Sequence, residues 1–411
     1  DTVDYFINET LRGQTEFDLA NVLLQLFKDR FICVSVKNNI WYEFKNHKWQ
    51  EIDSGNTLRL CISKDVYQIY SKKVKELMEK MDALEEDDPQ RQKIEKNINT
   101  FITISMMLKR TTQKNNIMRE ARELFYDKDF LEKQDENNNL MCYNNGVFDF
   151  TENIFRSGKP EDYITKSTNI DYVPINEVNK DALEQVTTFI NQLFPIKELQ
   201  DYMWEHLAST LIGTNENQTF NIYIGSGANG KSKLVDLMTK ILGDYKGTVP
   251  ITLITQKRPG IGGTSSEIVQ LRGVRYAVMQ EPSKGDVINE GILKEITGGD
   301  PIQGRALFKE TVTFIPQFKL VVCTNTLFKI NDTGDWLMMD TTRHSDNVTD
   351  NRILWTSAAE QGSGNNIDIL SNGFKERSSD GYSNANNSIM IYMAWGDRPA
   401  HTPFGIQNEA R

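Results

Sequence analysis

Residues 225–232 read Gly225-Ser226-Gly227-Ala228-Asn229-Gly230-Lys231-Ser232 and match the pattern GxxxxGK[ST]. The apolar run 220–224 precedes them, and apolar residues recur at helical spacing from 234 to 242. A strand, a glycine loop and a helix in this order form a phosphate cradle, because the glycines turn backbone N–H groups inward and the helix N-terminus adds positive charge. We expect Lys231 to bridge the β- and γ-phosphates of a nucleotide and the Ser232 hydroxyl to ligate Mg²⁺. A glycine-rich turn without function is the alternative, but a chance match has odds of roughly one in a hundred.

Two further apolar strands follow, and each ends in a polar residue. The first, residues 275–281, ends at Glu281, which we expect to polarise an attacking water and help hold the metal. The second, residues 318–325, ends at Asn325, whose amide can orient water against the γ-phosphate. Taken alone, a strand-end Asn is usually a cap or turn residue.

Residues 291–310, which lie between these strands, predict a helix, a tight Gly298-Gly299 turn and an exposed hairpin. Arg305, Phe308 and Lys309 place two cations around an aromatic ring at the hairpin. That combination suits a single strand of nucleic acid, which needs phosphate neutralisation and a stacking surface. The alternative is a solvated hairpin with a buried Phe.

Together, the glycine loop, the Glu281 strand, the 294–305 segment and the Asn325 strand resemble motifs A, B, B-prime and C of the superfamily 3 helicases of DNA viruses, phages and plasmids. The segment KEITGGDPIQGRALFKE, residues 294–310, is similar to the poxvirus-type primase-helicase branch, which large nucleocytoplasmic DNA viruses and many phages share. Residues 29–49 and 144–174 are similar to the domain that precedes the helicase in that branch. The resemblance covers residues 17–335.

The resemblance implies an AAA+-like ATPase core, a parallel sheet flanked by helices, that assembles into a ring, usually a homo-hexamer. Such a ring threads single-stranded DNA and unwinds forked duplex during viral genome replication. The resemblance also implies ATP and Mg²⁺ as cofactors, with residues 225–232 binding the nucleotide, Ser232 and Glu281 on the metal, and Lys231, Glu281 and Asn325 (the sensor) in catalysis. Lys309 and Phe308 then lie near the DNA channel. A primase domain or protein is the expected partner, since members often carry one upstream.

We divide the chain into four regions. Residues 1–174 form a mixed α+β domain with short strands near 31–36, 40–44 and 48–52, a helical hairpin broken at Pro89, and an Asn145-Gly146 turn. Residues 175–219 form a helical linker or collar, predicted helical from 175 to 218. Residues 220–335 form the ATPase core. Residues 336–411 form an irregular tail rich in Ser, Asn and Gly.

Composition excludes several classes of protein. With 10% aromatic and 25% charged residues in 411, the chain is not intrinsically disordered, and its net charge of −10 excludes a wholly basic DNA-packaging protein. No apolar run approaches membrane-spanning length and no secretory signal opens the chain, so we expect an intracellular protein without membrane contact. The cysteines, which are widely spaced, predict reduced core thiols and no zinc site; they are Cys33, Cys61, Cys142 and Cys323. Because Asp1 replaces an initiator Met, we expect a fragment or processed product. The aromatic strands around Trp41, Tyr42, Phe44 and Trp49 predict core packing rather than base stacking.

The chain departs from the family pattern at two places. Gln280 stands where the family has the first of two acidic residues, which leaves Ser232 and Glu281 for the metal. After Asp335 the family continues with an aromatic residue, paired arginines and an apolar strand. Those arginines reach the neighbouring subunit's γ-phosphate, and such a finger can be worth about 10³–10⁵ in rate in GTPases. This chain instead reads WLMMDTTRH over 336–344.

A shifted reading frame is one hypothesis for this departure. Residues 338–344 can be encoded by ATGATGGACACGACGCGTCAT, which in another phase contains TGG ACA CGA CGC GTC, or Trp-Thr-Arg-Arg-Val, the sequence expected for the family. On this hypothesis the tail is out of frame, and Arg343 is not assigned as a finger. The encoding DNA decides the matter.

Two alternatives to an active helicase remain. One is an ATP-binding, catalytically impaired helicase remnant or replication scaffold that lacks its arginine finger. The other is a P-loop kinase acting on a small molecule, which needs a second substrate pocket and a lid with arginines; the 294–309 segment argues against it. DNA-stimulated ATP turnover separates these possibilities.

Overall fold

The computed structural model describes residues 2–216, 218–225, 227, 229–255, 265–279, 289–305 and 311–325, and short strands between 337 and 376. Five of the predicted site residues lie outside the described residues; they are Ser226, Ala228, Glu281, Phe308 and Lys309. Gln280 and Arg343 also lie outside them.

The N-terminal part combines seven helices with a three-stranded antiparallel sheet in the order β1–β2–β3. The elements are α1 (Thr2–Gly13), α2 (Glu16–Phe27), β1 (Phe31–Ser35), β2 (Ile40–Lys45), β3 (Lys48–Ile52), α3 (Asn56–Cys61), α4 (Tyr67–Asp82), α5 (Pro89–Met107), α6 (Thr111–Leu124) and α7 (Phe130–Lys133). A π-helical turn, Ile62–Val66, joins α3 to α4. Helix α5 begins at Pro89 with the Asp88 carboxylate accepting from Gln90 N, which is why the hairpin of α4 and α5 turns there.

The predicted strands and helical hairpin are confirmed. Trp41 and Trp49 are fully buried and Tyr42 is buried, whereas Phe44 is half-buried against the Trp49 ring. The aromatic strands therefore build the core, as expected from their composition. Cys33, Cys61 and Cys142 are buried free thiols and Cys323 is a half-buried one, and burial raises the pKa of Cys142 to about 11.

A second antiparallel sheet, β4 (Leu140–Tyr143), β5 (Gly146–Asp149) and β6 (Ile154–Arg156), follows. Tyr143 pairs with Gly146, so the predicted hairpin is confirmed, but its two loop residues are Asn144 and Asn145 rather than Asn145 and Gly146. Trp49 Nε1 donates to Pro160 O at 2.8 Å and thereby ties the segment after β6 to the first sheet.

The region 175–218 is only partly helical. Helices α8 (Lys180–Leu193) and α9 (Lys197–Ser209) flank Pro195, which cannot continue a helix and restricts the residue before it. The prediction of helix is wrong for 175–179, which precede α8, and for the described residues 210–216 and 218. There the chain leaves α9 at Thr210, and the Asn215 side chain donates to Thr297 O at 2.8 Å.

The C-terminal part of the described core is a four-stranded parallel sheet in the order β7–β12–β9–β8. Its elements are β7 (Phe220–Ile224), α10 (Lys231–Leu242), β8 (Lys246–Val249), α11 (Thr252–Thr255), α12 (Ser266–Val269), β9 (Tyr276–Met279), α13 (Glu290–Thr297), β10 (Ile302–Arg305), β11 (Thr311–Phe314) and β12 (Lys319–Thr324). Strands β10 and β11 pair as an antiparallel hairpin, as predicted.

Helices cover both faces of this sheet. Val278 and Val321 face a cluster built from α8, α9 and α10, while Met279 and Val322 face α11, α12, α13 and the β10–β11 hairpin. Alternate residues of each strand are thus buried on opposite faces, which explains why β9 and β12 read as continuous apolar runs. The predicted α/β core, a parallel sheet flanked by helices, is confirmed.

The tail is not wholly irregular, so that prediction is wrong for its described segments. They are strands β13 (Leu337–Met338), β14 (Val348–Thr349), β15 (Arg352–Leu354), β16 (Gln361–Gly362), β17 (Ile367–Leu370) and β18 (Gly373–Glu376). They form two antiparallel sheets, β13–β15–β16 and β14–β17–β18. The stretch Ile367-Asp368-Ile369-Leu370, followed closely by Asn372-Gly373, was the available sequence signal for the β17–β18 pair.

Over the ranges described, no helix is both long enough and apolar enough to cross a bilayer.

Candidate functional site

The glycine loop joins the end of β7 to the start of α10. Gly227 has φ +92° and Gly230 has φ +87°, backbone conformations that only glycine adopts without strain. Gly230 is also packed: a Cβ there would lie 2.5 Å from Leu193 Cδ1 at the end of α8. The glycines therefore allow the loop to pack against the end of α8, and the N-terminus of α10 lies at the end of the loop.

Lys231 is the first residue of α10, and its ammonium reaches across the loop. Lys231 Nζ donates to Gly225 O at 2.8 Å, to Asn229 Oδ1 at 3.0 Å and to Asn325 Oδ1 at 3.1 Å. All three acceptors are neutral oxygens. A phosphate oxygen would make a shorter and stronger charge-assisted bond to the same ammonium.

Asn325 follows β12 directly and is exposed. Strand β12 pairs in parallel with β7, with Thr324 opposite Ile224, and Gly225 N donates to Thr324 O at 3.3 Å. Since the two strands end at the same edge of the sheet, Asn325 lies beside the glycine loop. The structure thus brings Lys231 and Asn325 together, with 3.1 Å between Nζ and Oδ1.

Of the two predicted metal ligands, the structure describes Ser232 but not Glu281. Ser232 lies in the first turn of α10 with an exposed side chain, as a hydroxyl ligand requires. Strand β9 pairs Met279 with Val322 of β12, so β9 runs toward the same edge of the sheet. Glu281 itself is outside the described residues. Among the residues that are described, no group of three His, Cys, Asp or Glu side chains could hold a metal.

Arg305 ends β10 and is exposed. The hairpin is held against the N-terminus of α12, because Ser265 Oγ accepts from Arg305 N at 3.0 Å and Ser265 N donates to Arg305 O at 2.9 Å. A Cβ at Gly304 would lie 2.9 Å from Val269 Cγ2, so the hairpin packs closely. Its tip, with Phe308 and Lys309, is outside the described residues.

Sequence reasoning missed a buried arginine that joins the two parts of the chain. Arg275 precedes β9 and is 2% exposed; its guanidinium donates to Leu140 O in β4 and to Leu211 O after α9. It also lies over the Tyr245 ring, 4.6 Å from the centroid, and burial lowers its pKa. A charged residue directly before a buried apolar strand was the available signal.

A salt bridge continues this junction. Lys48 Nζ lies 3.0 Å from Asp244 Oδ2, and Asp244 also accepts from Ser167 N at 3.1 Å and from Asn169 Nδ2 at 2.8 Å. Burial acts to raise the pKa of Asp244, but the bonds from Lys48 and Asn169 outweigh it and leave the pKa lowered. The N-terminal domain is therefore hydrogen-bonded to the 3₁₀ turn Gly243–Tyr245, which follows α10.

Two family models match the chain. Residues 20–195 match the family described as D5 N terminal like, and residues 314–399 match a family described as a domain of unknown function. A shifted reading frame is not expected to produce a sequence that matches a protein family. The second match therefore argues against an out-of-frame tail.

The similar proteins come from large DNA viruses. The chain is 37% identical over 339 residues to a putative helicase, L207/L206, of Acanthamoeba polyphaga mimivirus, which covers 81% of this chain and 35% of that protein. It is 25% identical over 413 residues to putative helicase 022R of Frog virus 3, covering 77% and 42%. It is 23% identical over 354 residues to putative primase C962R of African swine fever virus, covering 81% and 36%. The chain thus spans less than half the length of these relatives.

A solved structure, the apo form of the NrS-1 C terminal region, is similar over 36% of this chain and 35% of that one, with 16% identity and a TM-score of 0.28.

Proposed function

Because this chain belongs to the D5-type branch of viral primase-helicases, we propose that it is the ATPase motor of a virus-encoded DNA helicase. In this proposal it binds Mg-ATP, assembles into a homo-hexameric ring and separates forked DNA at replication sites in an infected cell. A primase, in the same polypeptide or in a separate protein, is its partner.

The contact between Lys231 and Asn325 carries the proposal. It joins the phosphate-binding lysine to an amide at the tip of the neighbouring strand. A γ-phosphate held by Lys231 would lie within reach of the Asn325 side chain. That amide can hold a water in line with the phosphate, and it can also sense whether the phosphate is present.

The donor set fits a magnesium nucleotide. The N-terminus of α10 favours anions, and the Ser232 hydroxyl in its first turn is a suitable hard oxygen ligand. We assign Ser232 and Glu281 to the metal and Glu281 to the activation of water. Bound Mg²⁺ would neutralise charge that develops on the β- and γ-phosphates.

The β10–β11 hairpin is proposed to contact DNA through Arg305, Phe308 and Lys309. Its exposed edge supports this, since Gln303 and Arg305 point outward while Ile302 and Gly304 are buried. Outward cations can neutralise DNA phosphates without the loss of core packing.

One observation favours a second function, that of a protein that binds ATP but does not hydrolyse it by itself. The family model of unknown function covers 314–399, which includes the segment where the arginine finger is expected. If another domain replaces the finger, this chain binds ATP but hydrolyses it only with arginines from a partner.

Steady-state ATP hydrolysis with and without single-stranded DNA tests the proposal, alongside Lys231→Ala and a matched surface control, Lys233→Ala. Turnover that rises with DNA in wild type and Lys233→Ala, and disappears in Lys231→Ala, is the expected result. Tight ATP binding with no turnover under either condition would instead establish the second function. Failure of wild type to bind ATP would overturn both.

A further inference from the structure

We propose that the N-terminal domain carries a separate binding surface for the DNA backbone, at the junction of α3, α5 and α6. We call it the basic face, and it is formed by Arg59, Lys64, Lys109, Arg110 and Lys114. The inference rests on the proposed function only for the identity of the polymer as DNA, because a cationic face by itself specifies a polyanion.

The basic face is positively charged, although the chain as a whole is acidic. The protein carries a net charge of −10, yet residues 96–119 contain five basic residues and no Asp or Glu. From 59 to 75 the sequence has five more basic residues and a single acidic residue, Asp65. So marked a local excess of one sign, on an acidic protein, indicates a surface that meets the opposite charge.

Tertiary contacts bring the two segments together. Ser63 Oγ donates to Leu108 O at 3.1 Å, which places Lys64 next to Lys109. Arg59 Nε donates to Asn115 Oδ1 at 3.0 Å, which ties α3 to the first turns of α6. The five cations therefore share one region of the surface.

These cations have no ion-pair partner among the residues that the structure describes. None of the ion pairs between described residues includes any of the five. Lys64, Lys109 and Arg110 are exposed, and Arg59 and Lys114 are half-exposed. Like charges held close together repel one another, and a bound polyanion relieves that repulsion; Asp65 and Glu16, which contacts Asn116, are the acidic residues nearby.

Two further features add to the positive potential. Helix α6 begins after Arg110 with no acidic residue in its first turn and no side-chain cap, so its N-terminal N–H groups add partial positive charge. Lys109 Nζ lies 3.6 Å from the centroid of the Tyr67 ring, which fixes one cation beside an aromatic face. The ammonium covers that face of the ring, so the contact holds the cation in place and does not supply a base-stacking surface.

The test is binding of a fluorescent single-stranded oligonucleotide of mixed sequence to the full chain, without nucleotide, across a salt series. Arg110→Gln/Lys114→Gln removes two cations of the basic face. Lys80→Gln/Lys93→Gln removes the same charge from the opposite, loop end of the α4–α5 hairpin, where both lysines are exposed. Helix α4 is roughly 24 Å long, so the two pairs are well separated.

We expect the first double variant to bind more weakly and its slope of log K against log salt to fall by about 1.4, since each phosphate contact on single strands contributes about 0.7. Its affinity deficit relative to wild type should then shrink about sevenfold between 50 and 200 mM salt. The control should keep the wild-type slope. Equal losses in both variants, or no loss in either, would overturn the basic face as a DNA site.

Competition with polyglutamate separates DNA from an acidic protein partner. Polyglutamate that displaces DNA at equal charge concentration, and binds the first double variant more weakly, would overturn DNA as the partner. Lys231→Ala separates this proposal from the motor function. It should abolish ATP turnover but leave nucleotide-free DNA binding and its salt slope unchanged.

Discussion

Lys231 and Asn325 lie 94 positions apart in sequence, and their side chains meet at 3.1 Å between Nζ and Oδ1. The contact exists because β7 and β12 are neighbours in a parallel sheet and both end at the same edge. It joins the residue expected to bind phosphate to the residue expected to sense it.

Asn325→Ala should separate nucleotide binding from turnover. The glycine loop and Lys231 remain, so ATP affinity should change little, whereas loss of the water-orienting amide should lower ATP turnover by about 10²–10³. Equilibrium binding of a fluorescent ATP analogue and steady-state hydrolysis measure the two effects. Asn221→Ala, on the same β7–β12 strand pair, is the control. Equal loss of binding and turnover would mean that Asn325 only supports the loop.

Gly230→Ala should harm nucleotide binding more than Gly227→Ala. Both positions have positive φ, but a Cβ at Gly230 meets Leu193, whereas one at Gly227 meets no described atom within 4 Å. We expect about 1–2 kcal/mol of backbone strain in each variant and an added steric penalty only at Gly230. Measurements of ATP affinity and of Tm in each variant should detect the backbone strain and the steric penalty. Adding Leu193→Ala should partly restore Gly230→Ala; without that rescue, packing on α8 is not the cause.

Arg275→Met should destabilise the junction between the two parts of the chain. It leaves the carbonyls of Leu140 and Leu211 without their donor, at about 1–3 kcal/mol for each buried group. Arg275→Lys should not restore stability, because one ammonium cannot reproduce the planar guanidinium, two of whose nitrogens donate to the two carbonyls. Urea unfolding measures the change against the exposed control Arg119→Gln. Wild-type stability in Arg275→Met would exclude a structural role for these bonds.

The stability of the protein should fall in mild acid because of His206. His206 Nε2 lies 2.9 Å from the Tyr223 hydroxyl, and burial lowers the pKa of His206 to about 4. The unfolded chain binds this proton near pH 6.5, so the contribution of neutral His206 is complete above pH 6.5 and is lost as pH falls to about 4. The loss amounts to about 3 kcal/mol at pH 4.

His206→Gln keeps a polar partner for Tyr223 without titrating, and so it isolates this effect. The difference in free energy of unfolding between wild type and His206→Gln should change steadily from pH 7 to pH 4. A difference that is constant with pH would show that His206 titrates normally in the folded protein.

Arg305→Ala should weaken the stimulation of ATP turnover by DNA and leave DNA-free turnover unchanged. Arg305 is exposed, and its backbone holds the hairpin through Ser265, so the fold should tolerate the change. Gln303→Ala, on the same exposed edge of β10, is the uncharged control. If Arg305→Ala also lowers DNA-free turnover, the residue acts on the ATPase site and not through DNA.

The glycine loop, the strands at 220–224, 276–279 and 319–324, and the hairpin of α4 and α5 were predictable from sequence. Each rests on a local signal: residues that permit positive φ, continuous apolar runs, or apolar residues at helical spacing. The non-helical stretch after Ser209 and the strands of the tail were not predicted. In the stretch after Ser209, the hydrogen bond from the Asn215 side chain to Thr297 O, distant in sequence, competes with the local preference for helix.

By itself, the sequence predicted the glycine loop between β7 and α10, because GxxxxGK[ST] specifies backbone conformation and charge within eight residues. It also carried enough family similarity to predict the poxvirus-type branch of primase-helicases. Only the tertiary structure decided which strands are neighbours, and therefore that Asn325 meets Lys231. It alone decided that Arg275 binds two distant carbonyls and that Arg59, Lys64, Lys109, Arg110 and Lys114 share one face. These are contacts between segments far apart in the chain, and local propensity does not encode them, since they depend on how buried apolar faces pack against one another.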